Sequence, residues 1–243
     1  MPETVWLVLP TYNEAENIEP IVAAALEQLE RASPGDHRIL IVDDASPDGT
    51  GAIADRLAAA NPAVEVLHHG ARHGLGPAYL AGFARALDSG AAAVCQMDAD
   101  FSHDPADLVR LVAAIEDGAD LALGSRYVEG GGVDHWGLLR RVISRSGCSY
   151  ARHVLGLEIR DLTGGFKCFR REVLEAIDLP SVRSHGYCFQ VELTQRALVR
   201  GFAVREVPIV FHDRRHGHSK MSPRIALEAF VVMPQLRWRG PFR

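Results

Sequence analysis

The chain alternates between two hydrophobic rhythms. Short, β-branched apolar runs occur at VWLVLP (5–10), RILIVDD (38–44), VEVLHH (64–69), AAVCQMDAD (92–100) and ADLALGSR (119–126). Between them lie AENIEPIVAAALEQLER, GTGAIADRLAAA, GPAYLAGFARALDSG and DPADLVRLVAAIEDG, whose apolar positions recur at helical spacing. Strands alternating with helices predict an α/β fold with a mostly parallel central sheet flanked by helices on both faces. Ligands bind such sheets beyond the carboxyl ends of the strands. The polar clusters PTYNEAEN, DDASPDGTG and DADFSHDP fall at those ends.

Past Arg126 the rhythm changes. YVEGGGVDHW reads as a glycine-rich loop, and GLLRRVISRSGCSYARHVLG predicts a helix with Leu138, Leu139, Val142, Ile143, Val154 and Leu155 set against a basic side. TGGFKCFRREVLEAI follows, then a helix in CFQVELTQRALVRG, one strand in AVREVPIVFH, a polar loop DRRHGHSKMS and an apolar segment IALEAFVVMPQL. With no internal repeat or low-complexity linker, residues 1–243 are expected to form one domain.

Composition narrows the class. Of the 243 residues 47% are hydrophobic and 23% charged, which fits a soluble globular protein and argues against disorder. No run reaches the roughly 20 apolar residues of a membrane span, and the first residues lack the basic region of a signal peptide, so a cytoplasmic protein is expected. Cys95, Cys148, Cys168 and Cys188 form no C-x-x-C pair and read as reduced thiols. The net charge of −5 conceals an asymmetry: residues 137–156 carry four arginines and no acid, and residues 214–243 carry seven Lys or Arg against Glu228. An anionic partner is therefore expected at the second half of the chain, while the acidic remainder argues against nucleic acid.

Asp98 and Asp100 carry the sharpest chemistry. If the strand continues through them, residues two apart face one side, about 6–7 Å apart at Cα, and both carboxylates can address one Mg²⁺ or Mn²⁺ together with substrate phosphate oxygens. The competing reading is a pair of solvated acids ahead of the helix that starts near Pro105. Asp43, Asp44 and Asp48 offer an acid to a base or ribose, or equally turn and cap chemistry, with Tyr12 able to lie against a base. GARHGLGPA matches no phosphate-loop or dinucleotide pattern and reads as a turn before a packed helix. Arg140, Arg141, Arg145 and Arg152 share a helix without acidic partners, which favours an external anion over a solvated face. DRRHGHSK supplies a second basic cluster around a glycine turn.

Together, LPTYNEAENI, IVDDASPDGTG, HGLGPAYLAGF, MDADFSHDP, GSRYVEGG, LRRVISR, DLTGGFKCFRR, FQVELTQRA and DRRHGHSKMS resemble, in order, the polyprenol-phosphate (dolichol-phosphate) mannose synthases of glycosyltransferase family 2, of the type without transmembrane helices. The resemblance implies a GT-A fold. It divides the chain into a nucleotide-sugar half (about 1–126) and an acceptor half (127–243) with C-terminal acceptor-side helices. It further implies inverting transfer of mannose from GDP-mannose to a polyprenyl monophosphate at the cytosolic membrane surface, with a divalent metal, Mg²⁺ or Mn²⁺, and with room for a separate membrane anchor protein.

Residue by residue, the resemblance gives donor binding to Pro10, Tyr12, Glu14, Val42, Asp44 and Ala99, and the metal and diphosphate to Asp98 and Asp100. Arg214 and Lys220 would close over the donor phosphates, and Arg126, Arg140 and Ser144 would receive the acceptor phosphate. An acceptor that is already anionic needs no strong general base, so positioning and charge neutralisation carry the rate. Segment 225–236 with Trp238, Phe242 and the terminal arginines reads as a membrane-surface element or as a packed helix with a frayed tail. Three alternatives stand beside this reading: a UDP-glucose-dependent polyprenyl-phosphate glucosyltransferase, a haloacid-dehalogenase-type phosphatase suggested by D-x-D-x-S, and a non-enzymatic nucleotide-binding module.

Overall fold

The computed structural model describes residues 4–184, 186–213 and 233–238. Four strand–helix units open the chain: β1 (Val5–Thr11) with α1 (Ile18–Ala32), β2 (His37–Asp43) with α2 (Thr50–Ala60), β3 (Val64–His68) with α3 (Leu75–Asp88), and β4 (Ala93–Gln96) with α4 (Asp107–Glu116). Then follow β5 (Leu121–Ser125), β6 (Gly132–Val133), α5 (Leu138–Leu155), β7 (Lys167–Arg170), α6 (Arg171–Ala176), α7 (Gly186–Val199), β8 (Val204–Pro208) and β9 (Val210–Phe211). Seven strands form one sheet in the order β3-β2-β1-β4-β7-β5-β8, and β6 pairs β9 in a small second ladder.

The inner strands β1 and β2 are buried on both faces because helices cover both, whereas the edge strand β3, with Glu65 and His68, is only partly buried. In β1, Val5, Leu7 and Leu9 enter the layer built from α1 and α4, whereas Trp6 and Val8 enter the layer of α3, α6 and α7. Gly82 sets how closely α3 approaches: a Cβ there would lie 2.4 Å from Val8 Cγ1, so only glycine lets the helix lie directly on β1. A third apolar cluster, including Leu123, Ala151, Leu162, Val191 and Met233, ties the end of α5 to α7 and to β5. The four cysteines are buried thiols.

Two expectations about elements change, and one segment that carried no assignment is resolved. The run 92–100 is not one strand: β4 stops at Gln96, because its partner β7 starts opposite it at Lys167. Asp98 and Asp100 consequently sit in a turn, with Phe101 in left-handed backbone (φ 60°), and strand alternation does not determine their geometry. TGGFKCFRREVLEAI divides into β7 and α6, and β7 enters the sheet antiparallel between β4 and β5. AVREVPIVFH divides too, at the buried Ile209, with β8 beside β5 and β9 beside β6. Among the described residues, no helix is long and apolar enough to cross a membrane.

Candidate active site

A cleft of about 510 Å³ opens beyond the carboxyl ends of β1 and β4, running from Tyr12 and Asp44 past Asp98 and Asp100 to Arg126 and Arg140. One end is built by the loops after β1 and β2. Asp48 accepts hydrogen bonds from the Thr50 amide (3.1 Å) and hydroxyl (2.6 Å) and from the Ala15 amide (3.0 Å), so it is a turn and helix-start residue. Asp43 likewise accepts from the Thr11 and Ser46 hydroxyls. Asp44 faces the cleft and gathers the opposite wall: its carboxylate accepts from the amides of His73 (2.8 Å) and Gly74 (2.7 Å) and lies 3.0 Å from His69 Nδ1. Burial alone would raise its pKa, but these bonds and the charge of His69 outweigh it and hold the carboxyl below its ordinary value. Across the gap, the Arg72 guanidinium stands 4.0 Å over the Tyr12 ring.

The acidic turn forms the middle. Asp98 Oδ1 accepts from the buried Tyr79 hydroxyl (3.1 Å), and the Asp98 amide donates to His103 Nδ1 (3.3 Å). Burial pushes the Tyr79 phenol well above its usual range, and the charges of Asp98 and Asp100 push it further, so it acts as a fixed donor. Asp100, almost wholly buried, accepts from the Ser102 amide at 3.0 Å. Among the described residues no three His, Cys, Asp or Glu converge into a metal cage. Two carboxylates on a tight turn are nevertheless the oxygen-only donor set that suits Mg²⁺ or Mn²⁺ when the remaining ligands come from water and phosphate.

The far end is cationic and aromatic. Arg126, at the end of β5, makes a bidentate pair with Asp161 (Nε to Oδ2 and Nη2 to Oδ1, both 2.7 Å), and Nη2 also donates to Thr163 at 2.8 Å. Burial would lower the guanidinium's pKa, but Asp161 raises it further, and Arg126 in return holds Asp161 low. These contacts occupy Nε and Nη2, leaving Nη1 as the remaining donor group of the fork. Its guanidinium stands among the rings of Tyr127, Trp136 and Phe211, at 5.2, 5.7 and 5.5 Å. Arg140 stands 4.0 Å over Trp136 and pairs with Asp213 at 2.5 Å.

The structure brings Pro10, Tyr12, Glu14, Asp44, Asp98, Ala99, Asp100, Arg126 and Arg140 into this one cleft. Ser144 does not line it; its hydroxyl accepts from Tyr127 at 2.6 Å beside the cationic end. Val42 does not line it either; its side chain is wholly buried in the α3 layer. Arg214 and Lys220 lie outside the described residues. Four contributors were not anticipated: Arg72 with the loop before α3, which had read as a mere turn, and Tyr79, His103 and Asp161. Asp161 lies in DLTGGF with no local sign of its partner, and Tyr79 reads as a core position because its ring is one.

The description "Glycosyl transferase family 2" belongs to the family model that matches residues 6–178. The chain is 50% identical over 235 residues to "Polyprenol monophosphomannose synthase" of Mycolicibacterium smegmatis, covering 96% of this chain and 87% of that one. It is 45% identical over 240 residues to "Undecaprenyl-phosphate mannosyltransferase" of Micrococcus luteus, covering 97% and 96%. Among solved structures, glucosyl-3-phosphoglycerate synthase from Mycobacterium tuberculosis in complex with UDP superposes with a TM-score of 0.69 at 18% identity, covering 96% of this chain and 79% of that one. The same enzyme in complex with Mn²⁺, UDP and glucosyl-3-phosphoglycerate gives 0.66 at 19% identity, covering 97% and 77%; at such identities the likeness is one of fold, the GT-A fold.

Proposed function

This chain belongs to glycosyltransferase family 2, and from that premise we propose that it transfers mannose from GDP-mannose to a polyprenyl monophosphate, giving polyprenyl-phosphate mannose and GDP. The observation that carries the reading is the continuity of one cleft from an acidic turn to a pair of arginines, Arg126 and Arg140. Two negatively charged substrates meeting end to end need that polarity.

In this reading the guanosine occupies the end between Tyr12 and the Asp44–Arg72 wall, and the diphosphate lies at Asp98 and Asp100. A divalent cation bound by those carboxylates would neutralise charge on the departing GDP. Tyr79 and the Ser102 amide hold the two carboxylates in place. Arg126 Nη1 and Arg140 receive the acceptor phosphate, with Ser144 behind them as the acceptor of the Tyr127 hydroxyl, while Asp161 fixes the direction of the Arg126 fork. The acceptor's phosphate oxygen attacks the anomeric carbon from the side opposite GDP; the new carbon–oxygen bond forms as the bond to the diphosphate breaks, and configuration inverts. The nucleophile carries its charge already, so no residue has to remove a proton. Arg214 and Lys220 would close over the donor phosphates.

The acceptor is a lipid, and α5 supports a peripheral seat on a membrane. Leu138 and Leu139 on its first turn are 79% and 74% exposed, and Val142 and Ile143 are about half exposed, beside Arg141 and Arg145. An apolar strip flanked by arginines suits an anionic membrane surface next to the Arg140 end of the cleft.

The test is transfer of labelled sugar from GDP-mannose, GDP-glucose or UDP-glucose to a polyprenyl monophosphate, with Mg²⁺, Mn²⁺ or chelator. Metal-dependent lipid labelling selective for GDP-mannose is expected. Labelling from UDP-glucose alone would replace mannose by glucose.

A further inference from the structure

A buried polar chain lies beneath the middle of the cleft, and nothing in the reaction described so far uses it. Lys167, on β7, is wholly buried, and its ammonium nitrogen donates to the Gln190 backbone carbonyl (2.7 Å) and to Gln190 Oε1 (3.0 Å). Gln96, the last residue of β4 and also wholly buried, donates from Nε2 to the same Oε1 (2.6 Å) and to the Gly165 carbonyl (2.7 Å). A lysine in a sheet interior is costly, and an apolar side chain would pack there more cheaply.

What the chain achieves is orientation. The Gly165 carbonyl can only accept, so the Gln96 atom facing it is Nε2, whose second N–H meets Gln190 Oε1 while Lys167 donates to the same oxygen, and Gln190 is held with its Nε2 on the other side. That side is the cleft. Gly165 forms the floor, and a Cβ built on it would lie 3.7 Å from Gln190 Nε2, 3.8 Å from Asp98 Oδ2 and 3.6 Å from His103 Cε1. A donor and a carboxylate therefore flank one bare spot of backbone, between the Asp44 end and the arginine end. A hydroxyl-rich ring that bridges a diphosphate and an incoming phosphate has to cross this spot.

We propose that the Gln190 carboxamide is a specificity-determining hydrogen-bond donor to a hydroxyl of the transferred hexose, held in its donating orientation by Lys167 and Gln96. The inference rests on the sugar-transfer reading above. Lys167 acts through Gln190 and is a positioning residue.

The experiment compares the wild type, Gln190→Glu, Gln190→Met and Lys167→Met on GDP-mannose and on analogues each lacking one hexose hydroxyl. Gln190→Glu keeps an acceptor for Lys167 and Gln96 but turns the donor into an acceptor; Gln190→Met serves if the glutamate fails to fold, as judged by melting and GDP affinity. One analogue is expected to lower wild-type kcat/KM about ten- to hundredfold, the size of one lost hydrogen bond in a closed site. The Gln190 variants lose a similar factor on GDP-mannose itself and no longer discriminate against that analogue. Lys167→Met narrows the same discrimination partially while GDP affinity is unchanged. Gln190 variants that fold and keep the full wild-type pattern of analogue penalties overturn the proposal and leave the transferase reading intact. A wild type that transfers no hexose overturns the reading and the proposal with it.

Discussion

Arg126 and Asp161 stand thirty-five positions apart in sequence and share two hydrogen bonds of 2.7 Å in a buried pocket. Such a pair contributes little net stability against an apolar replacement, but breaking it leaves an uncompensated buried charge. Asp161→Asn is therefore expected to destabilise the fold by about 3–5 kcal/mol, read by urea unfolding. Asp161→Leu combined with Arg126→Met should recover most of that loss while transfer stays absent, separating the pair's structural cost from its use. Asp100 differs in its setting: it lines the cleft, and its carboxylate accepts from a backbone amide, that of Ser102. Asp100→Ala should lower turnover by at least about a hundredfold, with melting little changed, if it neutralises the leaving diphosphate through a cation. A variant with near-normal metal-dependent turnover would remove Asp100 from the metal site.

At the scale of elements, α5 carries its apolar residues in two places. Val154 and Leu155 near its end pack into the third core cluster, whereas Leu138, Leu139, Val142 and Ile143 lie exposed. Leu139→Glu with Ile143→Glu should leave melting unchanged, because neither side chain is buried. It should abolish co-sedimentation with anionic vesicles and lower transfer to long-chain acceptors far more than to a short, water-soluble prenyl phosphate. Wild-type vesicle binding should weaken as salt rises, since Arg141 and Arg145 beside the apolar strip supply its electrostatic part. Periodicity found this helix with its boundaries nearly right. Periodicity could not say that its first two turns face outward, because an apolar stripe reads the same whether protein or lipid covers it.

For the whole molecule, the buried Lys167 links pH to stability. Loss of solvation pushes its ammonium down to about 7 from an ordinary 10.5, with the charge of Asp161 opposing the shift. Between those values the unfolded chain holds a proton that the folded chain has released, so this residue makes stability rise with pH across that window. Below about pH 7 its full destabilising effect is present. Urea unfolding of the wild type and Lys167→Met at pH 7, 8 and 9 should show the rise in the wild type and a flatter profile in the variant. Identical slopes would mean that the lysine is not titrating in the folded interior.

Local order in the chain was enough to determine the alternating strands and helices of the first half, their covering on both faces, and the strand ends at which polar residues gather. These follow from short-range rules: apolar period, turn residues and the need to bury both faces of a parallel sheet. The motif series also carried the family, because many spaced residue types in one order are rarely met together. Only the tertiary structure decided that β4 ends before the two aspartates, that β7 enters antiparallel beside it, and that Asp161, Tyr79 and His103 stand behind the site's charged groups. It also brought Lys167 and Gln96 beneath Gln190. Each of these depends on which strand lies next to which, a long-range pairing set by how the whole set of apolar faces closes, and no window of sequence contains both partners.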